Sequence, residues 1–121
     1  MRRRAFRFSP LAQAELEEIW TYSFERFGGK QADRYLDGLF EAIKEAAATD
    51  RHAGVPLRHV PRDLIADITN LPIRYLHFGG HYVYFRSLSD GALGVVCILG
   101  DRTDTPRRLK EQLSSPLTEM E

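Results

Sequence analysis

Residues Phe8 to Ala47 read FSPLAQAELEEIWTYSFERFGGKQADRYLDGLFEAIKEAA, and this stretch decides the fold. Ser9-Pro10 is a helix start: the serine hydroxyl can accept from an orphan N–H of the first turn, and proline fits the first helical position. Ala12, Leu16, Ile19, Trp20, Ser23 and Phe27 then recur at helical spacing, with Glu15, Glu17, Glu18 and Glu25 mostly off that stripe. Gly28-Gly29 stops the helix, because glycine tolerates the left-handed cap conformation. A second helix starts near Lys30, with Ala32, Leu36, Leu39, Phe40, Ile43 and Ala47 as its stripe. So short a link forces the two helices to be antiparallel and adjacent. Each has one apolar face, so both are expected to lie on a sheet.

The flanking segments supply that sheet. Ala5 to Phe8 alternates with arginine and suits a short strand ahead of the hairpin. Thr49 to Pro72 holds Gly54, Pro56, Pro61 and Pro72 and reads as a loop, with a short strand around Leu64–Thr69. Ile73–Phe78 and His81–Arg86 flank Gly79-Gly80, a two-residue hairpin signal. Ser89-Asp90-Gly91 makes the next turn, and Leu93–Leu99 reads as the most buried strand. A short helix is expected from Pro106 to Leu113, and residues 114–121 read as a flexible tail. The expected fold is α+β. A short N-terminal strand precedes an antiparallel two-helix hairpin, which packs on one face of a twisted antiparallel sheet of three to four strands. Residues 1–113 form a single domain.

Composition narrows the function classes. The chain has 121 residues, 28% of them charged, enough to bury a core without a disulfide or a metal. Its one cysteine, Cys97, lies in the apolar run Gly94–Leu99 and reads as a small buried hydrophobe. No Cys/His cluster points to zinc, and no glycine-rich motif points to a nucleotide cofactor, so no metal or cofactor is expected. The basic start MRRRAFRFSP has no apolar core of a signal peptide, and no run is long enough to span a membrane, so the cytoplasm is the expected location.

Net charge is zero, but its placement is uneven. Residues 9–50 carry four basic and nine acidic side chains, whereas residues 51–110 carry nine basic and five acidic ones. An acidic helical layer against a basic sheet layer offers two faces for two kinds of partner. The balance argues against tight, sequence-independent nucleic-acid binding by the whole molecule. A local basic patch on an open sheet face, carrying Arg74, Arg86 and Arg102, stays open as a receiver of nucleic acid or an acidic peptide. Among the aromatics, Trp20 falls on the helix stripe and is expected in the core. Tyr22, Phe24 and Tyr35 lie off or at the edge of the stripes and are the candidates for partner contact. His77 and His81 flank the Gly-Gly turn, where they could face each other across the hairpin.

Three segments carry a resemblance. SPLAQAELEEIWTYSFERFG (Ser9 to Gly28), QADRYLDGLFEAI (Gln31 to Ile43) and HYVYFRSLSDGALGVVCILGDRTD (His81 to Asp104) resemble the two helices and the final hairpin of the ParE branch of the RelE/ParE toxin superfamily. The last ends in Leu99-Gly100-Asp101-Arg102-Thr103-Asp104, similar to the family's terminal pattern. Arg58–Leu76 departs from the family by being longer and more broken by proline.

The resemblance implies a toxin of a type II toxin–antitoxin pair. A cognate antitoxin would neutralise it by wrapping its surface with an extended or helical C-terminal segment, and DNA gyrase would be its target. Arg102, Arg86, Tyr22, Phe24 and Tyr35 are then the expected partner-binding residues. The RelE branch shares the fold but cleaves mRNA on the ribosome, which needs basic groups around the reacting phosphate. For that alternative the candidates are Arg102, Arg86, Arg74 and His81. The set is incomplete, since the central strands offer Ile73, Arg74, Tyr75 and Tyr82, and no aromatic stands at Arg107-Arg108-Leu109. A non-toxic relative that only binds antitoxin is the third reading.

Overall fold

In the computed structural model, which describes residues 4–102, 107–113 and 120, the chain is an α+β protein with an N-terminal strand, two long helices and a mixed sheet. Strand β1 (Phe6–Phe8) runs into helix α1 (Pro10–Phe27) through Ser9. The Ser9 Oγ accepts from the Ala12 N–H at 2.9 Å, the cap that the sequence motif calls for. One residue, Gly28 at φ 87°, separates α1 from helix α2 (Gly29–Thr49). That positive-φ conformation is open to glycine at no steric cost, so the chain reverses in one step.

After α2 come a two-residue hairpin of β2 (Arg51–His52) and β3 (Val55–Pro56), then β4 (Arg58–His59) and the one-turn helix α3 (Arg62–Ile65). The meander β5 (Arg74–Phe78), β6 (His81–Ser87) and β7 (Leu93–Gly100) completes the fold, and residues 107–113 are helical. The main sheet has order β1-β7-β6-β5-β4. Its central meander is antiparallel, while β1 pairs parallel with β7 in the register Phe6↔Leu93, Arg7↔Gly94, Phe8↔Val95. The count reaches five strands because β1 and the two-residue β4 extend the two edges of the expected meander.

The strand expected around Leu64–Thr69 does not form. Pro61 leads into the α3 turn instead, closed by Ile68 N–H and Thr69 N–H, both donating to Ile65 O. Arg62 then ties the loop down by donating to Thr69 O at 2.7 Å and Leu71 O at 3.0 Å. Local backbone bonds and one long cation outcompete a weak strand pattern.

The sheet is covered on both faces. On the helix side, Leu36, Leu39 and Ile43 of α2 pack on Val83, Phe85, Leu93 and Val95. On the other side, Ile65 of α3 and Leu109 and Leu113 of the 107–113 helix pack on Tyr84, Val96, Cys97 and Leu99. A bulge at Tyr84/Phe85 pairs Tyr84 with Cys97 and Phe85 with Val95. Val96 is the extra residue, so Val96 and Cys97 both serve the second core and the alternation restarts one position on. This is why Leu93–Leu99 is apolar throughout: both of its faces are buried. The expected open sheet face is therefore largely closed. Met120 also packs against this second core, while residues 114–119 and 121 of the expected tail lie outside the described residues.

Candidate functional site

Helix α1 buries a narrow stripe of Ala12, Glu15, Leu16 and Ser23, which leaves two flanks at about 100° per residue. One flank is aromatic. Trp20, Phe24 and Phe27 share it at i, i+4, i+7 and are 36%, 49% and 65% exposed. Trp20 stacks on Phe24 with ring centroids 5.1 Å apart, and its Nε1 donates to Asp33 of α2 at 2.9 Å. The core position expected for Trp20 is thus corrected. Its stripe neighbours Leu16 and Ser23 fill the space over the sheet, and the indole is left at the rim, where its N–H finds a carboxylate.

The opposite flank faces the free edge of β7. Strand β1 covers β7 only to Val95, so beyond that residue the edge is met by side chains of the helix start. Ser9 donates through Oγ to Val96 O at 2.6 Å, and Glu15 Oε1 accepts from the Ile98 N–H at 2.8 Å. Above this edge lies a cleft of about 570 Å³ whose walls include Glu15, Glu18, Tyr22, His81, Arg108 and Gln112. With its nitrogen turned toward Glu15, the Gln112 amide donates to Oε2 at 2.8 Å and accepts from Arg108 Nη2 at 2.9 Å. Burial pushes the Glu15 carboxyl up to about 7, helped by nearby Glu18 and opposed by the Ile98 N–H and the Arg108 charge. Sequence reasoning passed over Glu15. Its one signal was an acidic residue three positions after Ala12 and directly before Leu16, inside the buried stripe.

A polar cluster closes the β5–β6 turn. Tyr35 Oη lies 2.6 Å from His81 Nδ1 and donates to Phe78 O at 3.2 Å. Burial lowers the His81 pKa, with the Asp101 charge acting against it. His77 Nε2 sits 3.2 Å from Asp101 Oδ2, and its ring stacks on Tyr82 at 4.6 Å. The two histidines do not face each other: the register is His77↔Tyr82 and Phe78↔His81, which puts them on opposite faces.

The arginines expected to act together are dispersed. Arg74 points to the helix side, where its Nη1 lies 3.0 Å from Asp50 Oδ1, and Arg4 binds the same carboxylate. Burial alone would raise the Asp50 pKa, but the two guanidinium groups hold it below its usual value. Arg86 follows Phe85 on the strand and so points to the other face, where it is 6% exposed and donates through Nε to Ser87 O at 3.2 Å. Arg102 is exposed in the turn after β7, and the Asp104 expected beside it lies outside the described residues. Of the expected partner-contact aromatics, Phe24 belongs to the ridge, Tyr22 to the cleft, and Tyr35 is half-buried against His81. Among the described residues no helix is long and apolar enough to cross a membrane, and no group of His, Cys, Asp and Glu could hold a metal ion.

Comparison with known proteins places this chain in a family. Residues 6–105 match the family described as the ParE toxin of the type II toxin–antitoxin system parDE. The chain is also 37% identical over 101 residues to Toxin ParE1 of Mycobacterium tuberculosis strain CDC 1551 / Oshkosh, covering 84% of this chain and 93% of that relative. Toxin ParE1 of strain ATCC 25618 / H37Rv matches with the same figures. The chain belongs to the ParE toxin family of type II toxin–antitoxin systems.

Proposed function

We propose that this ParE-family toxin is neutralised by a cognate antitoxin that covers the aromatic ridge of α1, and that the freed toxin inhibits growth by binding DNA gyrase. The observation that carries the choice of target is the dispersal of Arg74, Arg86, Arg102 and His81 over two sheet faces and a turn. Cleavage of an RNA phosphodiester needs a base, a cation for the charged phosphorane and an acid within a few ångströms of one phosphate. These four side chains do not converge on one point, which favours inhibition by protein binding over chemistry. The ridge of Trp20, Phe24 and Phe27 supports the antitoxin assignment, because exposed aromatics grouped on one helix flank serve as anchors for a partner segment. Arg102, exposed beyond β7, is the residue offered to the target.

The test is to express the toxin without its antitoxin. Supercoiling by purified gyrase and cleavage of translated mRNA are then measured in parallel. Inhibited supercoiling with intact mRNA is the expected result. Codon-spaced mRNA cleavage overturns the target, and neither effect leaves an antitoxin-binding relative. Arg102→Ala is expected to relieve growth inhibition while leaving antitoxin binding in place.

A further inference from the structure

We propose that a second cleft, at the outer edge of the sheet beside the β2–β3 hairpin, binds a nucleotide unit, with the base on the His77–Tyr82 stack and the phosphate at Arg58. The cleft measures about 410 Å³, within the range that holds a nucleotide-sized ligand. Its floor is aromatic. His77 stacks on Tyr82 with ring centroids 4.6 Å apart and planes 25° from parallel. Tyr75 meets Tyr82 edge-on at 5.8 Å, and Tyr84 lies 5.8 Å from Tyr75 on the buried side. The alternation that puts His77 opposite Tyr82 and Tyr75 opposite Tyr84 lines these rings along the face away from α1 and α2.

The platform is held in place from both sides. Asp101 fixes the His77 ring through Nε2, and Tyr84 and Tyr75 back Tyr82 from the core. The His77 side chain remains 49% exposed, so the stack offers a π face to an incoming planar group. Base–aromatic stacking tolerates any base, because every base has such a face.

The polar groups fit the rest of a nucleotide. Arg58, on β4 directly opposite Tyr75, is exposed and makes no ion pair among the described residues. Among the described residues no carboxylate lines the cleft. His52 also lines it, with its ring 5.9 Å from Phe78. A flat π face and an unpaired cation around one space match a nucleoside phosphate. An acidic peptide would use the cation but leave the stack without a planar partner. The unit could arrive as a free nucleotide or as part of a single strand.

The test uses the full chain and calorimetric titration with adenosine monophosphate, then with a ten-residue deoxythymidine oligonucleotide. His77→Ala and Arg58→Gln change exposed side chains, and thermal unfolding of each variant checks that it folds. Both variants are expected to weaken binding of either probe about tenfold or more. An oligonucleotide that binds at least tenfold more tightly than the mononucleotide, with affinity falling as salt rises, upholds the site as one for single strands. Equal affinity per molecule upholds it as a free-nucleotide site. The proposal is overturned if neither probe binds at millimolar concentration, if both folded variants bind as well as the parent, or if only a ten-residue polyglutamate binds. These outcomes are independent of the gyrase assay, which reads other surfaces.

Discussion

The Glu15 carboxylate accepts from the Ile98 N–H at 2.8 Å, so a helix side chain caps the sheet edge that β1 leaves uncovered. The bond satisfies a buried donor, but only 9% of Glu15 is exposed and its carboxyl is pushed up to about 7. The sign of the pH effect follows. In the unfolded chain this group titrates near 4.5, so between that value and about 7 the native state holds the extra proton. Its contribution to stability is fully present below the unfolded value and is lost as pH rises through the window. The loss is on the order of 3–4 kcal/mol at most, since each tenfold change in proton affinity is worth about 1.4 kcal/mol. Glu15→Gln keeps an acceptor for Ile98 and is expected to remove this dependence. Urea unfolding at pH 5.5, 7 and 8.5 checks it: parent and variant should diverge as pH rises, with the variant the more stable at pH 8.5. Identical slopes would show that Glu15 does not titrate in this window.

Ser9 joins the helix start to the same edge. It is fully buried, donates to Val96 O at 2.6 Å and accepts from Ala12 N–H at 2.9 Å. Ser9→Ala removes a cap and leaves two buried backbone groups unpaired at once. The expected cost is about 2 kcal/mol, at the upper end for a lost cap because of the second group. Ser9→Thr retains the hydroxyl and should recover part of the loss in a thermal melt.

The β5–β6 turn sets a steric limit. Gly79 has φ 55°, and a Cβ placed there would lie 2.6 Å from Tyr35 Oη. Gly79→Ala is therefore expected to cost about 1–3 kcal/mol in backbone strain, with a further loss as Tyr35 is pushed from His81. The pair is coupled: adding Tyr35→Ala to Gly79→Ala should destabilise by less than the sum of the single changes, measured by urea unfolding. Strict additivity would mean that the turn accommodates the methyl group without moving Tyr35.

These three sites mark how far the sequence could be read. Ser9-Pro10, Gly28 and Gly79-Gly80 act through backbone conformations that single residues dictate, and the two-helix hairpin on a meander followed from them directly. The closed second face did not, because Val96 and Cys97 reach it through a bulge opposite Tyr84 and Phe85, a feature of pairing between distant segments. Glu15 was missed for a related reason: a glutamate near a helix stripe reads as solvated until a strand edge supplies the N–H that draws it in. Trp20 failed in the opposite direction. Helical spacing gives an angle around the axis, but how far the sheet extends beneath the helix end decides whether that angle is covered. The dispersal of Arg74 and Arg86 was implicit in the parity of their strands, yet it needed the cross-strand register Arg74↔Phe85 to become visible.

The two flanks of α1 allow the proposed antitoxin surface to be tested apart from folding. Phe24 is half-exposed and stacks on Trp20, so Phe24→Ala removes little buried area from the toxin itself. A ridge that anchors the antitoxin segment should lose at least about tenfold in affinity on this change, the behaviour of an aromatic hot spot. Tyr22 stands on the other flank, with the Arg26 guanidinium 5.1 Å above its ring, and lines the Glu15 cleft. Tyr22→Ala therefore reports on that flank alone. Titration of both variants with the cognate antitoxin, beside thermal melts, distinguishes the surfaces. A loss for Phe24→Ala with Tyr22→Ala near the parent places the segment on the ridge. The reverse pattern places it in the cleft against the β7 edge, where it would have to displace Glu15 from Ile98. In that case antitoxin affinity should depend on pH through the Glu15 window, whereas binding on the ridge should not.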